Sequence, residues 1–118
     1  MQQRSRFMDN SIKKLLYDIL ESINRIEQYV GTPKIFQNYA NSQLIQQAVE
    51  RNFEIIGEAM SKILKLDSQI AISHTRKIVD TRNKIIHGYD EIEPENIWSI
   101  IINYLPTLKR EVENLLAE

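Results

Sequence analysis

The chain contains no cysteine, which excludes disulfides, thiolate metal sites and a cysteine nucleophile. No apolar run approaches the roughly 18 residues that a membrane span needs. The opening MQQRSRFMDN lacks the apolar core of a signal peptide, so a soluble cytoplasmic protein without membrane contact is expected. Glycine and proline occur three times each, histidine twice and tryptophan once. Net charge is -1, so the molecule as a whole has no excess positive charge for binding polyanions. At 118 residues, 1–118 reads as one domain able to bury a modest core, with residues 1–8 allowed as a flexible lead.

What is present is helical periodicity. Ile12, Leu16, Ile19, Ile23, Ile26 and Val30 step by 4, 3, 4, 3 and 4, one stripe of an amphipathic helix. Asp9, Asn10 or Ser11 can cap its start and Gly31 suits its end. TPKIF resembles a restart, with Thr32 as cap and Pro33 at the first helical position. A second long helix is predicted from Asn41 or Ser42 to about Leu66. Gly57 inside it costs about 1 kcal/mol relative to alanine, and close approach by another helix is the simplest compensation. A third runs from near Ser73 to Gly88. The last begins at Pro94, and its stripe (Ile97, Ile101, Tyr104, Leu108, Val112, Leu115) passes through Pro106, which predicts a kinked but continuous helix. No segment alternates with period two. The expected fold is all-α, an antiparallel bundle of four to five helices.

Charge is unevenly placed. From Lys62 to His87, six basic residues (Lys62, Lys65, Arg76, Lys77, Arg82, Lys84) face only Asp67 and Asp80; Asp90, Glu91, Glu93 and Glu95 follow at once. Such a strip offers Lys84, Arg76 and Lys77 as contacts for RNA phosphates, although a solvated helix face has the same composition.

Within it lies RNKIIHGY, residues 82 to 89. Histidine can take a proton from an attacking oxygen or return one to a leaving oxygen. Arginine stays charged and forks onto phosphate oxygens. RNA brings its own nucleophile, the 2′-hydroxyl, so a site of this kind requires no metal, and no cluster of ligands stands at metal-binding spacing. Geometry poses a difficulty: five residues on a helix separate Arg82 and His87 by about 140°, so one chain does not aim both at one phosphate. Two copies about a twofold axis could do so. By itself, an Arg and a His on a short helix are more commonly an ion-pairing and a capping residue. RNFEII at Arg51–Ile56 repeats the Arg-Asn opening with isoleucine in the histidine's place, and reads as plain helix surface. His74 reads as a surface residue without an arranged partner, and Trp98 as core or interface.

The string Arg82-Asn83-Lys84-Ile85-Ile86-His87-Gly88-Tyr89 matches the Arg-x4-His-x-Tyr pattern of the HepT-like toxins in the HEPN superfamily. AVERNFEIIGEAMSKI resembles that family's second-helix signature, and RNKIIHGYDEIEPENIWSIIINYLPTLKREVENLL its motif, acidic turn and Pro-containing last helix. The resemblance covers about residues 9 to 116. It implies a HEPN-like bundle that homodimerises around a shared cleft, and a cofactor-free, metal-independent endoribonuclease acting on mRNA or tRNA. Arg82 and His87 become the catalytic pair, with Asn83 supporting them. Tyr89 becomes the residue to which a cognate minimal nucleotidyltransferase antitoxin transfers AMP, the arrangement of a type VII-like toxin–antitoxin pair. The alternative is a non-catalytic subunit that holds nucleotide or substrate for a minimal nucleotidyltransferase. A purely structural bundle leaves the motif unexplained.

Overall fold

Helix α1 (Asn10–Val30) begins where the Asp9 carboxylate accepts the Ser11 amide at 2.6 Å, and stops where the Gly31 amide donates to the Glu27 carbonyl at 2.9 Å. Its six stripe residues are all buried in this computed structural model, which describes residues 9–88 and 92–118. Residues 1–8, together with Tyr89, Asp90 and Glu91, lie outside the described residues; the expectations for a flexible lead and for Tyr89 fall there. The remaining elements are α2 (Phe36–Ala40), α3 (Gln43–Leu66), α4 (Thr75–His87), α5 (Pro94–Asn103) and α6 (Leu105–Leu116), with no strand among the described residues. No helix among them is long and apolar enough to cross a membrane.

α3 is the centre of the bundle. Ser42 caps it by accepting the Ile45 amide at 3.1 Å, and it buries Val49, Phe53, Ile56, Met60 and Ile63. Fully burying one such side chain contributes about 1.5–3 kcal/mol. α1 packs along one side of α3 and α4 along another, while α6 closes on α1 and α5 leads into α6. The molecule measures 51 × 31 × 19 Å. Its thinnest dimension is about two helix diameters, so the bundle is two layers deep.

Three local expectations change. The restart at Thr32 and Pro33 does not form: residues 31–34 are turns, and α2 starts at Phe36 after an extended Ile35. Its position is set by aromatic packing, because Phe36 and Tyr39 both meet Trp98, with ring centroids at 5.6 and 5.7 Å. The expected last helix is two helices. Pro106 has no amide to give the carbonyl of Ile102 and its ring crowds that turn. Tyr104 accordingly marks the break, half-buried, with φ drawn out to -118° inside the right-handed region. Its amide still donates to the Ile100 carbonyl at 2.9 Å, and Leu105 takes the core position expected of it. Finally, Asn52 of the internal Arg-Asn repeat is buried, its amide donating to the Ala48 carbonyl at 2.9 Å, so only Arg51 is surface.

Candidate active site

α4 carries the motif, and few residues hold it. Only Ile78 and Thr81 are buried along its length. Its start is tied to the far end of the chain: the Ser73 amide and hydroxyl donate to the two Glu111 carboxylate oxygens at 3.0 and 2.7 Å. His74, adopting a left-handed conformation (φ 59°), sets its ring edge-on to Tyr104 at 5.0 Å. It is exposed as expected, yet it has an aromatic partner that the sequence did not reveal. The Lys77 ammonium stands 6.0 Å from the same ring. At the other end Gly88 terminates the helix in the left-handed region that favours glycine, its amide donating to the Lys84 carbonyl at 3.1 Å.

Between these ends, α4 crosses α3 at Gly57. A Cβ there would stand 2.7 Å from Arg82 Cγ, closer still to Arg82 Cβ, and 3.4 Å from the Ile78 carbonyl oxygen. The close helix approach inferred from a mid-helix glycine is thus real, and the residue resting on it is Arg82. The guanidinium is half-buried and donates through Nη1 to Asn83 Oδ1 at 3.1 Å. Its Nε is buried and meets no acceptor among the described residues. Arginine has five N–H donors, so several remain for an anion.

His87 is the last residue of α4 and exposed. The helix is unbroken from Arg82 to His87, so the separation of about 140° stands. Arg82 and Asn83 are brought together; His87 lies on a different side of the helix from Arg82, while Asn83, four residues before it, shares its face. Lys84, three residues before His87, is its neighbour on the helix surface. Lys77 and Lys84 line one groove between α4 and α5, together with Thr81, Asn96 and Ser99. Arg76 is exposed and does not line it. The basic strip therefore divides. Lys62 and Lys65 line a separate groove against α1, where Lys62 also pairs with Glu58 at 3.5 Å. Among the described residues no three His, Asp or Glu side chains gather as a metal site.

Gly57 as the seat of Arg82, and Asn96 and Ser99 opposite the lysines, were not assigned from the sequence. The mid-helix glycine was a signal for the first; nothing in the chain order announces the second pair, because it lies across a gap between two helices. Two groups elsewhere are displaced from their ordinary ionisation. Burial, then the Glu50 charge, pushes the Tyr39 phenol up. Burial, then the Glu54 charge, pushes the Glu50 carboxyl up.

A family model described as "Ribonuclease HepT-like" matches residues 19–115. "Putative RNase MJ1380" of Methanocaldococcus jannaschii is 36% identical over 104 residues, spanning 86% of this chain and 94% of that one. "Probable ribonuclease HepT" of Thermococcus cleftensis is 34% identical over 113 residues, spanning 92% and 98%. "Putative RNase MJ1216", also of M. jannaschii, is 31% identical over 109 residues, spanning 91% and 88%. No solved structure matches. With a family match across most of its length and an all-helical fold of the expected class, the chain belongs to the HepT-like ribonuclease family of the HEPN superfamily.

Proposed function

We propose that this protein is a metal-independent endoribonuclease that works as a homodimer and serves as the toxin of a toxin–antitoxin pair. The observation that carries the reading is α4 itself: an arginine seated at the α3 crossing with donors to spare, five residues before an exposed terminal histidine, in a chain of a ribonuclease family. In the proposed reaction the His87 imidazole takes the proton from a ribose 2′-hydroxyl, and that oxygen attacks the adjacent phosphorus. The bond from phosphorus to the 5′-oxygen breaks, and an imidazolium returns a proton to the leaving oxygen. Arg82, steadied by Asn83, stabilises charge on the non-bridging oxygens. The products are a 2′,3′-cyclic phosphate and a 5′-hydroxyl. Because Arg82 and His87 diverge on one helix, a second copy completes the site by placing its own α4 across the groove. AMP transferred to Tyr89 by a minimal nucleotidyltransferase would set a bulky anion beside the site and silence it.

The test is His87→Ala against wild type on purified RNA. Cleavage should be lost while stability moves by less than about 0.5 kcal/mol, since the residue is exposed. Wild-type cleavage should persist in EDTA and leave a cyclic phosphate. Activity that disappeared on chelation and returned with magnesium would refute the mechanism, and a monomer mass by light scattering would refute the composite site. If RNA is bound but never cleaved, the reading as a non-catalytic subunit of a nucleotidyltransferase replaces it.

A further inference from the structure

The groove between α4 and α5 is absorbed neither by the core nor by the Arg82–His87 chemistry. It encloses about 200 Å³, with an isoleucine floor that includes Ile97 and Ile100. Lys77 and Lys84 stand along one wall, seven residues and about 10 Å apart on the same face of α4. Asn96 and Ser99 stand along the other. Neither lysine has a carboxylate partner among the described residues, although Asp80 lies within helical reach of both. Lys77 is instead steadied over the Tyr104 ring. Ser99 Oγ accepts from the Asn103 amide at 3.1 Å, which leaves its own proton for an acceptor in the groove. The Thr81 hydroxyl is already committed to the Lys77 carbonyl at 2.8 Å. Every uncommitted polar function thus includes a donor: two ammonium groups, an amide and a hydroxyl.

We propose that this groove is a phosphate subsite for single-stranded RNA, holding the backbone beside the scissile bond. The inference rests on the ribonuclease reading and adds to it a second anchoring place, built by α5 as well as α4. No aromatic side chain among the described residues lines the groove, so recognition by those residues is of the phosphate chain, without sequence preference. Lys84 borders His87 on the helix surface, so a strand lying along Lys77 and Lys84 runs on toward the histidine. Arg82, on the far side of α4, meets a different phosphate.

The probe is a 2′-O-methyl RNA oligonucleotide, which keeps the phosphates and removes the nucleophile. Binding is followed by fluorescence anisotropy between 50 and 200 mM salt, against full-length wild type and the Lys77→Gln/Lys84→Gln double variant. Each phosphate contact on a single strand contributes about 0.7 to the salt slope, so two lost contacts should flatten it by about 1.4. The affinity deficit of the variant should therefore be roughly sevenfold larger at 50 mM than at 200 mM. Lys34→Gln/Lys65→Gln removes the same charge away from the groove and should keep the wild-type slope. Ser99→Glu, which keeps both lysines but places a carboxylate where the phosphate would lie, should weaken binding as well. On cleavable RNA the double variant should raise KM and spare kcat, because this phosphate is held equally before and during the reaction. Equal slopes for wild type and double variant, or equal flattening by the control pair, overturn the subsite while wild-type cleavage keeps the nuclease reading intact. Absence of RNA binding and cleavage by wild type overturns both.

Discussion

Replacing Gly57 by alanine puts a methyl group where α4 rests on α3. The new Cβ would stand 2.7 Å from Arg82 Cγ, with the Ile78 carbonyl oxygen at 3.4 Å. Rotation about χ1 can carry Cγ away, but Arg82 Cβ is fixed to the α4 backbone and is nearer still. Relief therefore requires α4 to move off α3. Overpacking of this kind costs about 1–3 kcal/mol, against about 1 kcal/mol that alanine gains over glycine inside a helix. The expected balance is a loss of about 1 kcal/mol. With an unfolding entropy of about 2.1 cal/mol/K per residue, that is roughly 4 °C in Tm for a chain of this length. Activity should suffer more than stability, since the displaced helix carries Arg82, Asn83 and His87 together. A shift approaching 1 Å should reduce RNA cleavage by about ten- to a hundredfold. Urea unfolding and cleavage kinetics on the same preparation give both numbers. A variant more stable than wild type by about 1 kcal/mol, cleaving RNA at the full rate, would show slack at the crossing and refute the seat.

Arg82→Lys should lose most cleavage while folding normally, because an ammonium cannot fork onto phosphate; wild-type kcat in that variant would remove the fork from the mechanism. Glu111→Ala should release the Ser73 tether, cost about 1 kcal/mol and speed hydrogen exchange in the first turn of α4, whereas unchanged exchange there would mean the tether is idle. Tyr39 is buried with its hydroxyl unmatched among the described residues, and its phenol stays protonated in the fold at a pH where the unfolded phenol, near 10, ionises. Stability should thus fall as pH rises through about 10, and Tyr39→Phe should remove that component of the fall in urea midpoints. Glu50 has its folded pKa raised, so its charge opposes folding once pH exceeds the unfolded value of about 4.3. Glu50→Gln should then be the more stable protein at neutral pH and lose that advantage below about pH 4; a less stable variant at neutrality would contradict the sign.

Chain order revealed what depends on neighbours three and four residues apart. The stripe from Ile12 to Val30 and the stop at Gly88 are local physics and are found where the sequence put them, and the caps, Asp9 and Ser42, are each one of the alternatives it offered. Pro106 was ambiguous because two local rules conflict. The apolar period demanded continuity and the missing amide demanded a break; the structure satisfies both by distorting the chain at Tyr104, which keeps its bond to the Ile100 carbonyl, while the stripe resumes at Leu105. Other features depend on register between helices, which no local rule sets. A mid-helix glycine announced that something approaches Gly57, but not that Arg82, on another helix, would be the visitor. The cap-and-proline signature at Thr32 lost to the packing of Phe36 and Tyr39 on Trp98, a residue far along the chain. Lys77 and Lys84 were legible as a basic face, yet Asn96 and Ser99 became their counterparts only through the meeting of α4 and α5.

Among the five helices of ten residues or more, α4 buries the fewest side chains. α1 fixes itself through seven buried residues; α4 has Ile78 and Thr81, with Val79 and Ile85 half-buried against the core, and adds specific fastenings. Those are the Ser73–Glu111 tether, the contact of His74 with Tyr104, and the seat of Arg82 on Gly57. All three lie at or before Arg82, and His87 follows the last of them by five residues, about 7.5 Å along the axis. Arg82 is therefore placed by packing, while His87 stands at the exposed end of the helix, two residues beyond Ile85, which packs against the core. A small core under the motif keeps its polar face open to solvent, which a deeply buried helix could not do. The same economy separates the two kinds of damage. Trimming a stripe residue such as Ile19 should cost about 2–5 kcal/mol and act through the folded fraction. Loosening a fastening should leave most of the bundle folded and misplace the site.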